Sequence, residues 1–221
     1  MQLWIITAIG FLAQAFFSSR IIVQWILSER EKKLVSPTWY WILSLAGSWL
    51  MFAYGLLRSD FSIIVGQFIS YYIYIWNLDM KGVWQKVHSS IKVFLLATPL
   101  AVAGIIASKG GDFFHEFLSS ESIPSAVLVF GTAGQTIFAL RFVYQWLLSR
   151  KRGESSLPTS FWVLSFVSAA MIVIYGFLRH DIVLIIGQGF GVIVYFRNIL
   201  IGLAASRREK SVDAGKLTED F

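Results

Sequence analysis

The segment RIIVQWILSEREKKLVSPTWYW, residues 20–41, returns later in the chain as RFVYQWLLSRKRGESSLPTSFW, residues 141–162. The correspondence runs without a gap from residues 14–77 to residues 135–198, and 22 of the 64 aligned positions are identical. Every matched pair is separated by 121 residues. Internal repeats in an apolar chain are typical of membrane proteins in which two similar bundles share a site. The repeat therefore predicts that function lies between two halves.

The composition indicates a membrane protein. Hydrophobic residues make up 56% of the 221 residues and the mean hydropathy is +0.65, whereas soluble domains reach only about half even with their glycines counted. A helix needs about 20 apolar residues to cross a bilayer. Runs of that kind lie near residues 3–27, 38–57, 61–78, 91–108, 124–148, 159–178 and 182–204. Barrel strands are shorter and alternate in polarity, so we expect an all-α membrane protein with seven transmembrane helices.

The repeat divides these helices into three, one and three. The fourth helix has no counterpart in the repeat, and it returns the chain so that two parallel three-helix bundles result. The predicted units are residues 1–80 for the first repeat, 81–121 for the linker with the fourth helix, 122–205 for the second repeat and 206–221 for a cytoplasmic tail. The tail is charged, and we expect it to be disordered.

Basic residues predict the orientation of the helices. In this arrangement 13 lysines and arginines fall on one side and 3 on the other, which places the C-terminus in the cytoplasm and the N-terminus outside. The net charge of +6 is then a topology signal and does not indicate nucleic acid. There is no cysteine, and the three histidines stand far apart, so we expect no metal and no cofactor. No catalytic motif is present.

Three arginines fall inside the predicted helices: Arg20, Arg141 and Arg197. Arg20 and Arg141 stand about eight residues before their helix ends, hence roughly 12 Å inside the membrane boundary. Because no carboxylate is expected at that depth, a bound anion such as a phosphate would neutralise them through guanidinium forks. The alternative is that each arginine reaches the interface along its flexible stem.

Polar and aromatic side chains repeat on the same helix faces. On the first helix of each copy they occupy one arc of about 120°, and on the third helix an arc of similar width. The candidates for ligand contact are the amides Gln24, Gln145, Gln67, Gln188, Asn77 and Asn198, with Trp25 and Trp146 as stacking surfaces for a sugar ring. Helix–helix hydrogen bonding is the alternative for the amides, and core packing is the alternative for the tryptophans.

Gate or structural roles are expected at the ends of the middle helices. Arg58 with Asp60, and Arg179 with Asp181, occupy matching outer turns, where an aspartate can cap a helix and pair with the arginine. Structural capping is favoured over an outer gate. Pro37 and Pro158 stand at the starts of the second and sixth helices, where a missing amide hydrogen costs little.

Both copies resemble the lipid-A-disaccharide synthase N-terminal domain family, a bacterial branch of the PQ-loop superfamily. The resemblance rests on the segments quoted above and on YGLLRSDFSIIVGQFISYYIYIWNL (54–78) and YGFLRHDIVLIIGQGFGVIVYFRNI (175–199). The Arg-x3-Gln-Trp, Pro, Arg-x-Asp, Gly-Gln and Asn positions occur in both copies, whereas Trp76 stands where the second copy has Arg197. The resemblance implies a three-helix repeat, an arrangement similar to SWEET sugar transporters, and alternating access between the bundles.

The same resemblance implies a place in envelope glycolipid assembly at the bacterial inner membrane. The family is named after a fused glycosyltransferase, so we expect no enzymatic activity from this chain. We expect a transporter or flippase for an anionic lipid-linked sugar, such as a polyprenyl-phosphate sugar, with the arginines on the phosphate and the amides on head-group hydroxyls. Expected partners are that lipid and a membrane glycosyltransferase. Two alternatives are a SWEET-like facilitator of a neutral sugar and a non-transporting module that docks a glycosyltransferase.

Overall fold

The computed structural model describes residues 2–58, 61–108, 125–178, 180 and 182–219. Within these ranges the chain forms seven α-helices and a short 3-10 turn, and no β-strand. The helices are α1 (Gln2–Glu31), α2 (Thr38–Arg58), α3 (Phe61–Met80), α4 (Ser89–Ser108), α5 (Ser125–Arg152), α6 (Thr159–Leu178) and α7 (Ile182–Glu219). The predicted all-helical membrane protein with seven helices is therefore confirmed.

Five helices in the described ranges are long and apolar enough to cross a membrane. They are the segments Trp4–Glu31, Thr38–Leu57, Ser89–Ser108, Thr159–Leu178 and Ile185–Ser211 of α1, α2, α4, α6 and α7. The helices α3 and α5 form where the third and fifth spans are predicted. Both helices carry polar side chains, such as Asn77, Arg141 and Gln145, and these side chains are buried.

Within each repeat the middle helix packs against both others, so α2 lies between α1 and α3, and α6 lies between α5 and α7. Glycines allow the closest approaches. A Cβ at Gly10 would stand 2.8 Å from the Tyr54 ring, and a Cβ at Gly131 would stand 2.5 Å from the Tyr175 ring. These two contacts are separated by the same 121 residues, so the structural repeat extends upstream of residue 14.

The two repeats meet through α3 against α5 and α1 against α7. The turns that follow α1 and α5 also touch, with the Ser36 and Ser155 hydroxyl oxygens 3.2 Å apart. Corresponding ends of the two repeats therefore lie together, and the bundles are parallel as predicted. The linker helix α4 packs on the outside of the first repeat, where its Leu95 carbonyl accepts a hydrogen bond of 3.0 Å from the Tyr71 hydroxyl.

Several predicted features differ at the helix ends. The helix α7 continues to Glu219, beyond the start of the predicted tail at residue 206. Pro37 and Pro158 directly precede α2 and α6, and each proline carbonyl accepts a 3.0 Å hydrogen bond from the amide three residues later. Arg58 is the last residue of α2. The other members of the predicted outer turns, Asp60, Arg179 and Asp181, lie outside the described residues.

Candidate ligand site between the repeats

Two pairs of amide side chains hold the repeats together at the end of the bundle that carries the basic loops. Gln24 of α1 donates a 2.9 Å hydrogen bond to the Asn198 side chain of α7. Gln145 of α5 donates to the Asn77 side chain of α3 at 3.1 Å, and Asn77 donates back to Gln145 at 3.3 Å. All four residues are completely buried. We call these two pairs the amide braces.

The amide braces follow the sequence repeat. Adding 121 to Gln24 gives Gln145, and adding 121 to Asn77 gives Asn198, so one brace becomes the other when the repeats are exchanged. This is the isologous pairing that a pseudo-two-fold axis imposes. These contacts agree with the alternative interpretation of the four amides, in which they form hydrogen bonds between helices and do not contact a ligand. Direct contact between them and a ligand stays a prediction, and it would require the braces to open.

Arg20 lies one helical turn deeper than Gln24, about 6 Å along α1, and is only 5% exposed. Its Nη1 donates to the Ser44 hydroxyl at 2.8 Å and to the Tyr74 hydroxyl at 3.3 Å. Its Nε is buried and has no hydrogen-bond partner. The guanidinium group also lies 4.5 Å from the centre of the Phe17 ring. Arg20 is therefore held by neutral groups and keeps an unused donor.

Arg141, the counterpart of Arg20, is 2% exposed. Its Nη1 donates to the Phe138 carbonyl of its own helix, and its Nε is buried without a hydrogen-bond partner. Aromatic rings surround it, with its Cζ atom 3.3 Å from the Phe138 ring centre and 4.6 Å from that of Phe142. Tyr40 of the first repeat corresponds to Phe161 in the second, so the second arginine has a less polar surrounding.

The two arginines share one aromatic ring. The Cζ atoms of Arg20 and Arg141 lie 5.4 and 4.6 Å from the centre of the Phe142 ring, so they are separated by at most the sum of these distances, about 10 Å. Two positive charges this close repel by roughly 1.7 kcal/mol or more at an effective dielectric constant of about 20. In the described ranges no carboxylate pairs with either arginine. Cation–π contacts compensate by about 0.5–2 kcal/mol each, and an anion would neutralise the pair.

Arg197 differs from the other two arginines, and its prediction as an unpaired deep charge is wrong. It is bonded through two guanidinium nitrogens to both carboxylate oxygens of Glu29, and the Nη2–Oε2 distance is 3.0 Å. The Arg197 side chain is 47% exposed. The neighbouring Asn198 lies level with Gln24, and the long arginine side chain reaches from there to the end of α1. The first predicted helix ends at residue 27 and leaves Glu29 in a loop, whereas α1 continues to Glu31 and brings this carboxylate to Arg197.

The predicted tryptophans are half-buried in contacts of their own. Trp25 donates a 3.1 Å hydrogen bond to Glu29. Trp146 meets the Trp76 ring edge-on at 6.4 Å and carries the Arg150 guanidinium 5.6 Å above its face. These contacts agree with the alternative of core packing.

The interface opens at the other end of the bundle. Gly66 lies within about 20° of Asn77 around α3, yet a Cβ there would meet no atom within 4 Å, and the same holds for Gly187 of α7. Gln67 is half-buried, and its Oε1 is buried without a hydrogen-bond partner. Gln188 is half-buried as well. Both glycines therefore border open space, so the repeats are joined at the level of Asn77 and separated at the level of Gly66.

Sequence reasoning missed Ser44, Phe142 and Glu29 of this site. Ser44 and Phe142 contact the arginines, and Glu29 pairs with Arg197. Ser44 could have been found, because it recurs as Ser165. Phe142 could not, because the first copy has Ile21 in its place.

The fold and this interface define a class: a duplicated seven-helix membrane protein with two buried arginines between parallel three-helix repeats. The family model described as Lipid A Biosynthesis N-terminal domain matches the chain twice, over residues 9–79 and 130–200. The two matches correspond to the two structural repeats. The chain therefore belongs to this family.

Curated relatives of the chain include three proteins named lipid-A-disaccharide synthase. The chain is 30% identical to the lipid-A-disaccharide synthase of Chlamydia felis over 209 residues, 90% of this chain and 33% of the relative. It is 30% identical to that of Chlamydia caviae over 215 residues, 91% of this chain and 34% of the relative. The protein of the same name from Chlamydia pneumoniae is 27% identical over 221 residues, 95% and 35% of the two chains. No solved structure matches the chain.

These relatives correct one expectation. The sequence led us to expect no enzymatic activity, but each of the three relatives is named as a synthase, which is an enzyme. The chain spans about a third of the length of these relatives.

Proposed function

We propose that this protein translocates an anionic lipid-linked sugar, such as a polyprenyl-phosphate sugar, across the bacterial inner membrane. The observation that carries the proposal is the pair of buried arginines, Arg20 and Arg141, with no described acidic partner. A phosphate between them would accept charge-assisted hydrogen bonds from the two unused Nε donors. It would also convert the repulsion between the arginines into attraction.

The sugar would lie beside the phosphate on the open side of the interface. Gln67 precedes Tyr74 by seven residues, so it lies about 10 Å further along α3 and within about 20° of the same face. Tyr74 contacts Arg20, and therefore Gln67 points toward the same interface. Its unpaired Oε1 can accept a hydrogen bond from a sugar hydroxyl. The proposal places Gln188 in the equivalent position of the second repeat.

Transport would proceed by alternating access. In this conformation the amide braces join the repeats at the basic end, while the space beside Gly66 and Gly187 is open at the other end. Opening toward the basic side would require both braces to separate. Interhelical hydrogen bonds in membranes contribute only about 0.6 kcal/mol each on average. Phosphate binding next to the braces can therefore compensate for their loss.

Orientation is part of the proposal: the basic end faces the cytoplasm and the N-terminus lies outside. The native chain has no cysteine, so single cysteines can be introduced without background. Ser211→Cys should react with an impermeant maleimide only after the cytoplasmic side of the membrane is exposed, whereas Gln2→Cys should react in intact cells stripped of their outer membrane. The opposite pattern would overturn the orientation.

Translocation can be tested in vesicles with a short-chain polyprenyl-phosphate glucose as the probe. Access of impermeant periodate to the sugar measures movement between leaflets. Combining Arg20→Ala with Arg141→Ala should slow movement at least tenfold, because each hydrogen bond to a charged group contributes about 1.5–3 kcal/mol. Arg152→Ala, an exposed arginine at the end of α5, is the matched control and should leave the rate unchanged.

Three outcomes separate the hypotheses. Wild-type movement in the double variant would exclude the arginine role. Equal movement of a phosphate-free polyprenyl glucoside would favour a facilitator that recognises only neutral sugar. Absence of movement for every probe would favour the second candidate function.

The second candidate is a membrane module that supports a lipid-A-disaccharide synthase reaction. It is favoured by the match to about a third of proteins that carry that name. In this case the chain would hold an acceptor lipid for a glycosyltransferase. Co-purification of such an enzyme with this protein, and faster disaccharide synthesis in vesicles that contain it, would support this function over transport.

A further inference from the structure

A basic pocket lies at the outer edge of the α1–α7 seam, apart from the central arginines. It has a volume of about 250 Å³ and is lined by Glu29 and Lys32 from the end of α1 and by Arg197, Leu200 and Arg208 from α7. Glu29 follows Arg20 by nine residues, about 13 Å along α1. Three cations and one anion give the pocket a formal charge of +2. We refer to it as the seam pocket.

The cations of the seam pocket are only partly neutralised. Arg197 forms two hydrogen bonds with Glu29. The side chains of Lys32 and Arg208 have no ion pair or hydrogen bond to any residue in the described ranges. Glu29 is thus the only carboxylate among the described residues that line the pocket, and a second anion can be accommodated.

The backbone conformation at Lys32 indicates that the charged side chain of this residue has a function. Lys32 directly follows α1 and has φ = +50°, in the left-handed region that disfavours residues with a Cβ. At the equivalent position the second repeat has Gly153, with φ = +70°. Glycine adopts this conformation without strain. The first repeat therefore carries a lysine where glycine would fit the backbone better, and the lysine contributes charge to the seam pocket.

The equivalent place on the other seam lacks this charge pattern. There Arg150 replaces Glu29, Gly153 replaces Lys32 and Trp76 replaces Arg197. Instead of an ion pair, Trp76 and Arg150 pack on Trp146. The two seams thus differ in chemistry although the helices that form them are related by the repeat. A phosphate site at the α1–α7 seam alone would account for this difference.

The surroundings of the seam pocket match a lipid. Leu200, which lines it, is 41% exposed, and Phe196 and Leu203 on α7 are 51% and 48% exposed. On α1, Ile26 is 44% exposed. These apolar side chains extend from the basic pocket along both helices. Basic pockets between helices on the cytoplasmic side are typical binding sites for anionic head groups.

We propose that the seam pocket binds the phosphate of an anionic lipid whose acyl chains lie along the exposed apolar faces of α1 and α7. Lys32 and Arg208 contact the phosphate first, and Arg197 then exchanges Glu29 for a phosphate oxygen. Because Glu29 and Arg197 lie on different repeats, the bound lipid loosens their ion pair. This site does not depend on the proposed transport, since the central arginines take no part in it.

The binding test uses the purified full chain in neutral detergent, with phosphatidylglycerol as the probe and phosphatidylcholine as the zwitterionic control. Native mass spectrometry gives the bound fraction over a lipid titration. Phosphatidylglycerol should bind more tightly than phosphatidylcholine. Lys32→Gly and Arg208→Gln should each weaken its binding about fivefold, and about twenty-fivefold together, as expected for loss of one basic residue each near an anionic head group.

Matched variants make the result decisive. Lys32→Gly relieves the left-handed strain, so its melting temperature should equal or exceed that of the wild type. Arg150→Gln removes an arginine at the other seam and should leave lipid binding unchanged. Glu29→Gln removes the competing carboxylate and should tighten binding. Unchanged binding in the combined Lys32→Gly and Arg208→Gln variant would overturn the proposal.

A competition experiment distinguishes a lipid phosphate from free inorganic phosphate. Millimolar inorganic phosphate should displace little of the bound phosphatidylglycerol, since it lacks acyl chains. Complete displacement at that concentration would assign the seam pocket to a free phosphate and overturn the lipid assignment.

Discussion

The amide braces give a sharp prediction because the two asparagines occupy equivalent positions but make unequal contacts. Asn77 exchanges two hydrogen bonds with Gln145 and accepts a third from the Ser155 hydroxyl at 2.7 Å. Asn198 accepts one described hydrogen bond across the interface, from Gln24. Asn77→Ala and Asn198→Ala remove the same atoms from equally buried positions. The loss of stability caused by the cavity itself is therefore nearly the same for the two variants.

The difference between the variants follows from the hydrogen bonds. At about 0.6 kcal/mol for each interhelical bond, Asn77→Ala loses roughly 1.8 kcal/mol and Asn198→Ala roughly 0.6. Asn77→Ala also leaves the buried Gln145 Oε1 without a partner, which adds about 1–3 kcal/mol. The equivalent Gln24 Oε1 is unpaired in the wild type already. Asn77→Ala should therefore destabilise the protein by about 2–4 kcal/mol more than Asn198→Ala does.

The assay is equilibrium unfolding by addition of SDS to neutral-detergent micelles, followed by tryptophan fluorescence. Refolding on dilution of SDS must be shown first, because many membrane proteins unfold irreversibly. A double-mutant cycle between Asn77 and Gln145 then isolates the brace from the shared cavity term. Equal losses for the two asparagine variants, or a larger loss for Asn198→Ala, would refute the unequal braces.

Two further predictions concern the glycines and the second seam. Gly131→Ala places a Cβ 2.5 Å from the Tyr175 ring and should lower the free energy of unfolding by about 1–3 kcal/mol through overpacking. Gly66→Ala places its Cβ in open space and should change the melting temperature little. Similar shifts in melting temperature for both variants would contradict the packing assignment. Trp76→Arg places a second positive charge beside Arg150 and should destabilise the protein. Adding Arg150→Glu should restore stability, because it recreates the ion pair of the α1–α7 seam. A double variant no more stable than Trp76→Arg alone would exclude this explanation.

The helices and their duplication follow from the sequence alone, because both depend on local patterns. A run such as residues 38–57 must satisfy its own backbone hydrogen bonds in lipid, so apolar length specifies a helix wherever it packs. The separation of 121 residues then specifies two like bundles, and the unmatched fourth helix makes them parallel. The buried arginines were found in the same way, since Arg20 and Arg141 repeat inside apolar runs.

Only the tertiary structure decided which side chains meet. Helix periodicity places Gln24 and Asn198 on polar faces, but it does not tell which helix covers each face, and their pairing depends on how the repeats approach. Arg197 is the clearest case, because a flexible side chain of its length can reach Glu29 on a helix 168 residues away in sequence. Local patterns specify helices, whereas contacts between distant residues depend on packing that no single helix encodes.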